Sequence, residues 1–142
     1  MLVEDDPNDV LLIQRALRKA RLVNPIEVVS DGEEAVNYLA GHGPFADRER
    51  YPLPVLILLD LKLPRKSGFE VLEWLRQQPK LKRVPVVVLT SSSRDSDINH
   101  AYDLGANSYL VKPPSFDALL KLVEEVKIYW LMLNVPPQLW VE

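Results

Sequence analysis

Short runs of apolar residues alternate along this chain with segments whose apolar positions recur every three or four residues. Met1–Glu4 is apolar and then abruptly acidic, like the end of a strand whose first residues are missing. Asp6-Pro7 is a helix start, with Asp6 as N-cap and Pro7 in the first turn. Val10, Ile13, Leu17 and Ala20 then fall on one helical face, with Arg15, Arg18 and Lys19 on the other. Ile26–Ser30 reads as a strand closed by the turn pair Asp31-Gly32, and Glu33–Ala40 as a second helix. The continuously apolar Val55–Leu59 predicts a strand covered on both faces. Helix three follows from Gly68 to Gln78 and stops before Pro79. Pro85–Thr90 is another buried strand, and helix four runs from Arg94 towards a capping Gly105. Asn107–Val111 is strand five, and helix five extends from about Ser115 to Leu133. The connection Gly41–Pro54 is longer than most such loops, a length that often accompanies function.

Five strands alternating with five helices imply an α/β fold, a doubly wound parallel sheet with right-handed crossovers. In such sheets ligands sit beyond the carboxyl ends of the strands. Those ends carry Glu4-Asp5 after strand one, Asp60 after strand three, Thr90-Ser91 after strand four and Lys112 after strand five. Any one polar residue there meets solvent in the ordinary way, but the set has coherent chemistry. Three carboxylates packed together repel unless a cation joins them. Hard oxygen ligands suit Mg²⁺, which keeps several waters and bridges carboxylates to phosphate. Asp60 would then be a nucleophile towards a phosphoryl group. The ammonium of Lys112 and the hydroxyl of Thr90 would neutralise and orient the phosphoryl oxygens.

Composition narrows the field. The 142 residues fit one domain, and a net charge of −3 points to neither a nucleic-acid groove nor a membrane surface. The absence of cysteine excludes disulfides, thiolate metal sites and cysteine nucleophiles. No apolar run is long enough to span a bilayer and the N-terminus is unlike a signal peptide, so a cytoplasmic protein is expected. His42 and His100 have no partner at metal-ligand spacing.

The segments Val3–Pro7, Leu58–Leu72, Val86–Ser92 and Gly105–Pro113, with the helix after them, closely resemble response-regulator receiver domains of two-component signalling. The resemblance covers nearly the whole chain. It implies a flavodoxin-like (βα)5 fold with strand order 2-1-3-4-5 over residues 1–133, its first strand clipped, and a tail over 134–142. It makes Asp60 the phosphoacceptor and Asp5 the direct Mg²⁺ ligand, with Glu4 acting through metal-bound water and the Lys62 backbone carbonyl completing the ligands. Thr90 matches the switch hydroxyl, Lys112 the phosphate-pairing lysine and Tyr109 the aromatic switch, and a cis bond is implied at Lys112–Pro113. Glu4 departs from the commoner aspartate, and Lys62 places a cation beside the site.

The implied role is a stand-alone response regulator that takes its phosphoryl group from a histidine kinase. It is not an enzyme, beyond slow self-dephosphorylation at most. The face of helix four, strand five and helix five would be redrawn on phosphorylation. Phe116, Leu119, Leu120, Val123 and Val126 make a core stripe on helix five. Leu122, Tyr129, Trp130 and Leu133 are left over with the tail, which points to a homodimer through that face. The long loop and the tail resemble the receivers that partner cyanobacterial phytochrome kinases. Two other classes compete. A haloacid-dehalogenase-like phosphatase wants an acid where Lys62 stands, and a phosphorylation-independent scaffold would have lost some of Asp5, Asp60, Thr90 and Lys112.

Overall fold

A computed structural model describes residues 1–139. Its parallel strands are β1 (Leu2–Val3), β2 (Val28–Val29), β3 (Ile57–Leu59), β4 (Val86–Thr90) and β5 (Ser108–Val111). They form one sheet in the order 2-1-3-4-5, as expected. The helices are α1 (Pro7–Lys19), α2 (Gly32–Ala40), α3 (Gly68–Arg76), α4 (Asp95–Asp103) and α5 (Phe116–Val126).

Strand periodicity divides the core. Val3, Ile57, Leu59, Val86 and Val88 face the cluster that contains Tyr38 and Leu39 of α2, Leu72 and Leu75 of α3 and Ala101 of α4. Their strand neighbours Leu2, Leu58, Val87 and Leu89 face Ile13, Ala16 and Leu17 of α1 and Leu119, Val123 and Val126 of α5. Successive side chains of a strand point to opposite faces, so a run without polar positions is what a sheet buried on both sides requires. Strand β5 lies at the edge and is only partly covered.

Local chemistry sets the helix ends. Asp6, Asp31, Ser67 and Ser115 each accept a backbone N–H of the turn they open. Helix α4 has no such side-chain cap at Arg94, and it ends at Leu104 with Gly105 just beyond. The helical path of α5 continues to Leu133 as expected, but from Lys127 it widens to a π-helical winding. There the Asn134 N–H reaches the Tyr129 carbonyl at 2.6 Å. Lys127 Nζ donates to the Ala20 carbonyl at 2.8 Å, tying this segment to the end of α1.

Two expectations change. Phe116 and Leu120 are half-buried and the stripe's centre is Leu119, Val123 and Val126, while Leu122 and Trp130 pack against the α1-side cluster. The long Gly41–Pro54 connection joins the end of α2 to the start of β3, away from the carboxyl ends of the strands, and packs against α2. Arg48 donates to the carbonyls of Tyr38 and Leu39 at 2.8 Å, closing the end of α2, and Tyr38, Phe45 and Tyr51 pack ring on ring. The Lys112–Pro113 peptide is trans rather than cis. Trans is the lower-energy form of such a bond, by about 0.5–1 kcal/mol.

The loop from Asp60 to α3 folds back on its own strand. A Cβ on Gly68 would stand 2.2 Å from the Asp60 carbonyl oxygen, and one on Gly32 1.9 Å from that of Lys66. Both neighbours are backbone and cannot swing aside. Gly68→Ala should therefore cost about 1–3 kcal/mol. Urea unfolding checks this, and a change within about 0.5 kcal/mol, usual for a neutral surface site, would contradict it.

Candidate phosphoryl and metal site

The carboxyl ends of β1 and β3, side by side in the sheet, bring the expected acids together. One carboxylate oxygen each from Glu4, Asp5 and Asp60 lies within 4.8 Å of the others. Glu4 and Asp60 are buried and Asp5 is exposed. The Asp60 carboxylate is held by its own turn, with Oδ1 accepting from the Leu61 N–H at 2.7 Å and the Lys62 N–H at 3.4 Å. The Lys62 side chain points to solvent.

Lys112 completes the cluster from the end of β5. Its ammonium donates to Glu4 Oε1, to Asp9 Oδ2 at 2.9 Å and to Asp60 Oδ2 at 3.2 Å, and only 12% of its side chain is exposed. Three donors thus meet three carboxylates. Thr90, at the end of β4, is 1% exposed, and its Oγ1 has no hydrogen-bond partner among the described residues. A buried, unpaired hydroxyl costs about 1–3 kcal/mol, so it marks a place prepared for an acceptor. Tyr109 donates from its hydroxyl to the Ser92 carbonyl at 2.9 Å, which ties β5 to the loop after Thr90. Ser92 Oγ in turn donates to Asp97 at 2.5 Å.

The charges are in conflict. Carboxylates whose oxygens lie within 4.8 Å of one another repel by at least about 3 kcal/mol when both are ionised, at an effective dielectric near 20. Burial and the neighbouring Asp60 push the Glu4 carboxyl up to about 8, against the pull of Lys112. Burial raises Asp60 too, but the neighbouring Glu4 carboxyl, the Lys112 ammonium and the nearby Thr90 hydroxyl outweigh that and hold it below the ordinary range. Lys112 is desolvated, yet its carboxylate partners move it upward overall. An all-oxygen, acid-rich pocket holding more negative charge than one ammonium balances fits a hard divalent cation.

The sequence places Glu4, Asp5, Asp60, Thr90 and Lys112 at this rim, and the resemblance adds Tyr109, but neither points to Asp9. The signal was its place in the first turn of the helix after β1. Helical side chains lean towards the N-terminus, and the N-terminus of α1 faces the rim.

Comparison with known proteins now decides the family. The sequence pattern of the response regulator receiver domain matches residues 1–124. The chain belongs to that family. It is 40% identical to the response regulator Rcp1 of Synechocystis over 92% of its own length and 87% of that protein's. It is also 42% identical to the "Probable methanogenesis regulatory protein FilR2" of Methanothrix harundinacea, over 96% of this chain and 86% of the other. The phosphorylated cyanobacterial phytochrome response regulator RcpA superposes with a TM-score of 0.89 at 42% identity, covering 96% of this chain and 95% of that one. Receivers of this family take a phosphoryl group from a histidine kinase, and an Mn²⁺-bound form of Rcp1 is similarly alike, with a TM-score of 0.86 and 96% of each chain covered. Among the described residues no helix is long and apolar enough to cross a membrane.

The Glu4 shift has a consequence with a definite sign. An acid raised in the folded state lends stability at low pH, and this is lost as pH climbs from the unfolded value towards about 8. Asp60, shifted down, responds only at more acid pH. A divalent cation needs the ionised carboxylates, so the rise in melting temperature on adding magnesium over EDTA should grow between about pH 5 and pH 8. The increment due to the cation is the quantity to measure. An increment that is flat across this range, or absent, would contradict the assignment.

Proposed function

We propose that the chain, with residues 1–133 as one receiver domain, accepts a phosphoryl group on Asp60. The observation that carries this reading is the meeting of a buried nucleophile, two further acids, a lysine and an unpaired buried hydroxyl at one rim. An Asp60 carboxylate oxygen attacks phosphorus while the P–N bond to the kinase histidine breaks, the electron pair leaving with the imidazole. Asp5 and Asp60, the Lys62 backbone carbonyl and, through water, Glu4 would hold Mg²⁺, which when bound neutralises charge on the phosphoryl oxygens. Lys112 pairs with one of those oxygens, and Thr90 Oγ1 donates to another. The β3 strand, buried on both faces, fixes the nucleophile more firmly than a loop would. Hydrolysis of the product by the domain itself is slow.

The phosphate then acts as a switch. Moving a two-state protein from 1:99 to 99:1 takes about 5.5 kcal/mol of differential interaction. One hydrogen bond to a charged group supplies about 1.5–3 kcal/mol, so Thr90 cannot act alone. Lys112 and Tyr109 carry the rest, the latter by repacking the Ser92 loop and with it α4, β5 and α5. The output is a protein contact in the cytoplasm. Ile128, Tyr129, Met132 and Leu133 are each about half or more exposed along the π-helical extension, a density of apolar surface suited to a homodimer through this face. Of the tail assigned to that contact, Trp140, Val141 and Glu142 lie outside the described residues. Likeness to RcpA and to RPA3017, a regulator in red-light signalling of R. palustris (TM-score 0.90, 33% identity, 96% of each chain covered), supports a phytochrome-type kinase as donor.

Intact-protein mass after incubation with acetyl phosphate should show one phosphoryl group gained, only with Mg²⁺ and not in Asp60→Asn. No gain in folded wild type, or a gain in the variant, would contradict the assignment and favour a scaffold. Tyr129→Asp with Leu133→Asp should shift sedimentation to the monomer. A dimer unchanged in both would place the contact elsewhere.

A further inference from the structure

Asp9 is the one carboxylate on Lys112 that lies outside the cluster suited to a cation. Its Oδ2 is 2.9 Å from Nζ, nearer than Asp60 Oδ2 at 3.2 Å. It is a third exposed, whereas Glu4 and Asp60 are almost fully covered. Its helix is firmly seated: Asp6 caps the first turn, Ile13, Ala16 and Leu17 are buried, and Lys127 closes the far end. Lys112, by contrast, reaches the rim on a side chain of four rotatable carbons, whose freedom must be removed for its charge to be useful. In the structure its three donors are all committed, one to each acid. Glu4 and Asp60 are the partners that a cation and a phosphoryl group draw on. Asp9 is the partner that remains.

We infer that Asp9 is a positioning residue for phosphoryl transfer: through its ion pair it holds the Lys112 ammonium beside Asp60 while the other two acids serve the incoming group. This rests on the reading of Asp60 as acceptor and Lys112 as its counter-charge. The step itself is unchanged; Asp9 neither touches the phosphoryl group nor takes a proton. It also links α1 to the end of β5, so the lysine's place depends on a helix that carries no other part of the site.

The test compares wild type, Asp9→Asn and Asp9→Glu in two ways. The first is the Mg²⁺-dependent rate of phosphorylation by acetyl phosphate, followed by intact mass. The second is the side-chain ammonium ¹⁵N signal of Lys112, which persists when an ion pair shields it. Asp9→Asn should slow phosphorylation by about three- to tenfold, the effect of losing one partly exposed charge-assisted bond. The ammonium signal should broaden while backbone amide shifts outside the first turn of α1 stay in place. Asp9→Glu, which keeps the charge on a longer arm, should recover much of both. A wild-type rate in Asp9→Asn overturns the proposal, as does a slow rate accompanied by displacement of α1, which would make the role structural. If wild type itself takes up no phosphoryl group, the underlying reading fails with it, and the ammonium signal still shows whether Asp9 holds the lysine.

Discussion

The Lys112 ammonium among Glu4, Asp9 and Asp60 is the interaction on which the site depends. Without a cation between them, two buried carboxylates at the ends of adjacent strands could not both stay ionised. With one lysine for three acids the site is compensated only in part, and burial together with the neighbouring Asp60 pushes the Glu4 carboxyl up to about 8. That residual conflict makes the rim receptive. A divalent cation would relieve it directly, and a phosphoryl group on Asp60 would bring anionic oxygens within reach of Lys112 and the unpaired Thr90 hydroxyl.

Holding like charges this close requires a frame that does not yield. The sheet supplies it by burying β3 and β4 on both faces, so that neither Asp60 nor Thr90 can retreat without opening one of two packed clusters. The turn after Asp60 is fixed by close backbone approaches at Gly68 and Gly32 and by the Leu61 N–H on the carboxylate. At the edge the frame is looser. Residues of β5 are partly exposed, Tyr109 reaches across to Ser92, and the end of α5 unwinds into a wider helix with apolar side chains outward. On the proposed reading, the chemistry falls where the fold is rigid, and the face that would respond lies where it is least covered.

Much of this was legible in the sequence because apolar runs and strand ends are local features. Val55–Leu59 ending on Asp60, and Val86–Leu89 ending on Thr90, announce a buried strand and a rim residue together, although β3 proper is Ile57–Leu59 and Val55 is exposed. Asp6 and Ser115 announce helix starts through the hydrogen bonds their side chains make. What escaped depends on direction or reach. Asp9 is one more polar residue in a helix until the lean of its first turn is set against β5. Arg48 acts through a long side chain on carbonyls of an element behind it in the chain, so no periodicity reports it. The widening after Lys127 leaves the apolar pattern intact and shifts only which of those residues face outward. The resemblance to receivers added the family's roles for Tyr109 and Lys62, which no local pattern carries, and it implied a cis Lys112–Pro113 bond that the chain does not have.

The central claim is that Lys112 exchanges a carboxylate for a phosphoryl oxygen at Asp60. A crystal structure of the protein with magnesium and beryllium trifluoride, a phosphoryl mimic that attaches to aspartate, tests it most directly. The account predicts the Lys112 ammonium withdrawn from Glu4 and bonded to a fluorine on Asp60, with Thr90 Oγ1 bonded to another. Finding the mimic on Asp60 with Lys112 still paired to Glu4 and Thr90 still alone would contradict it.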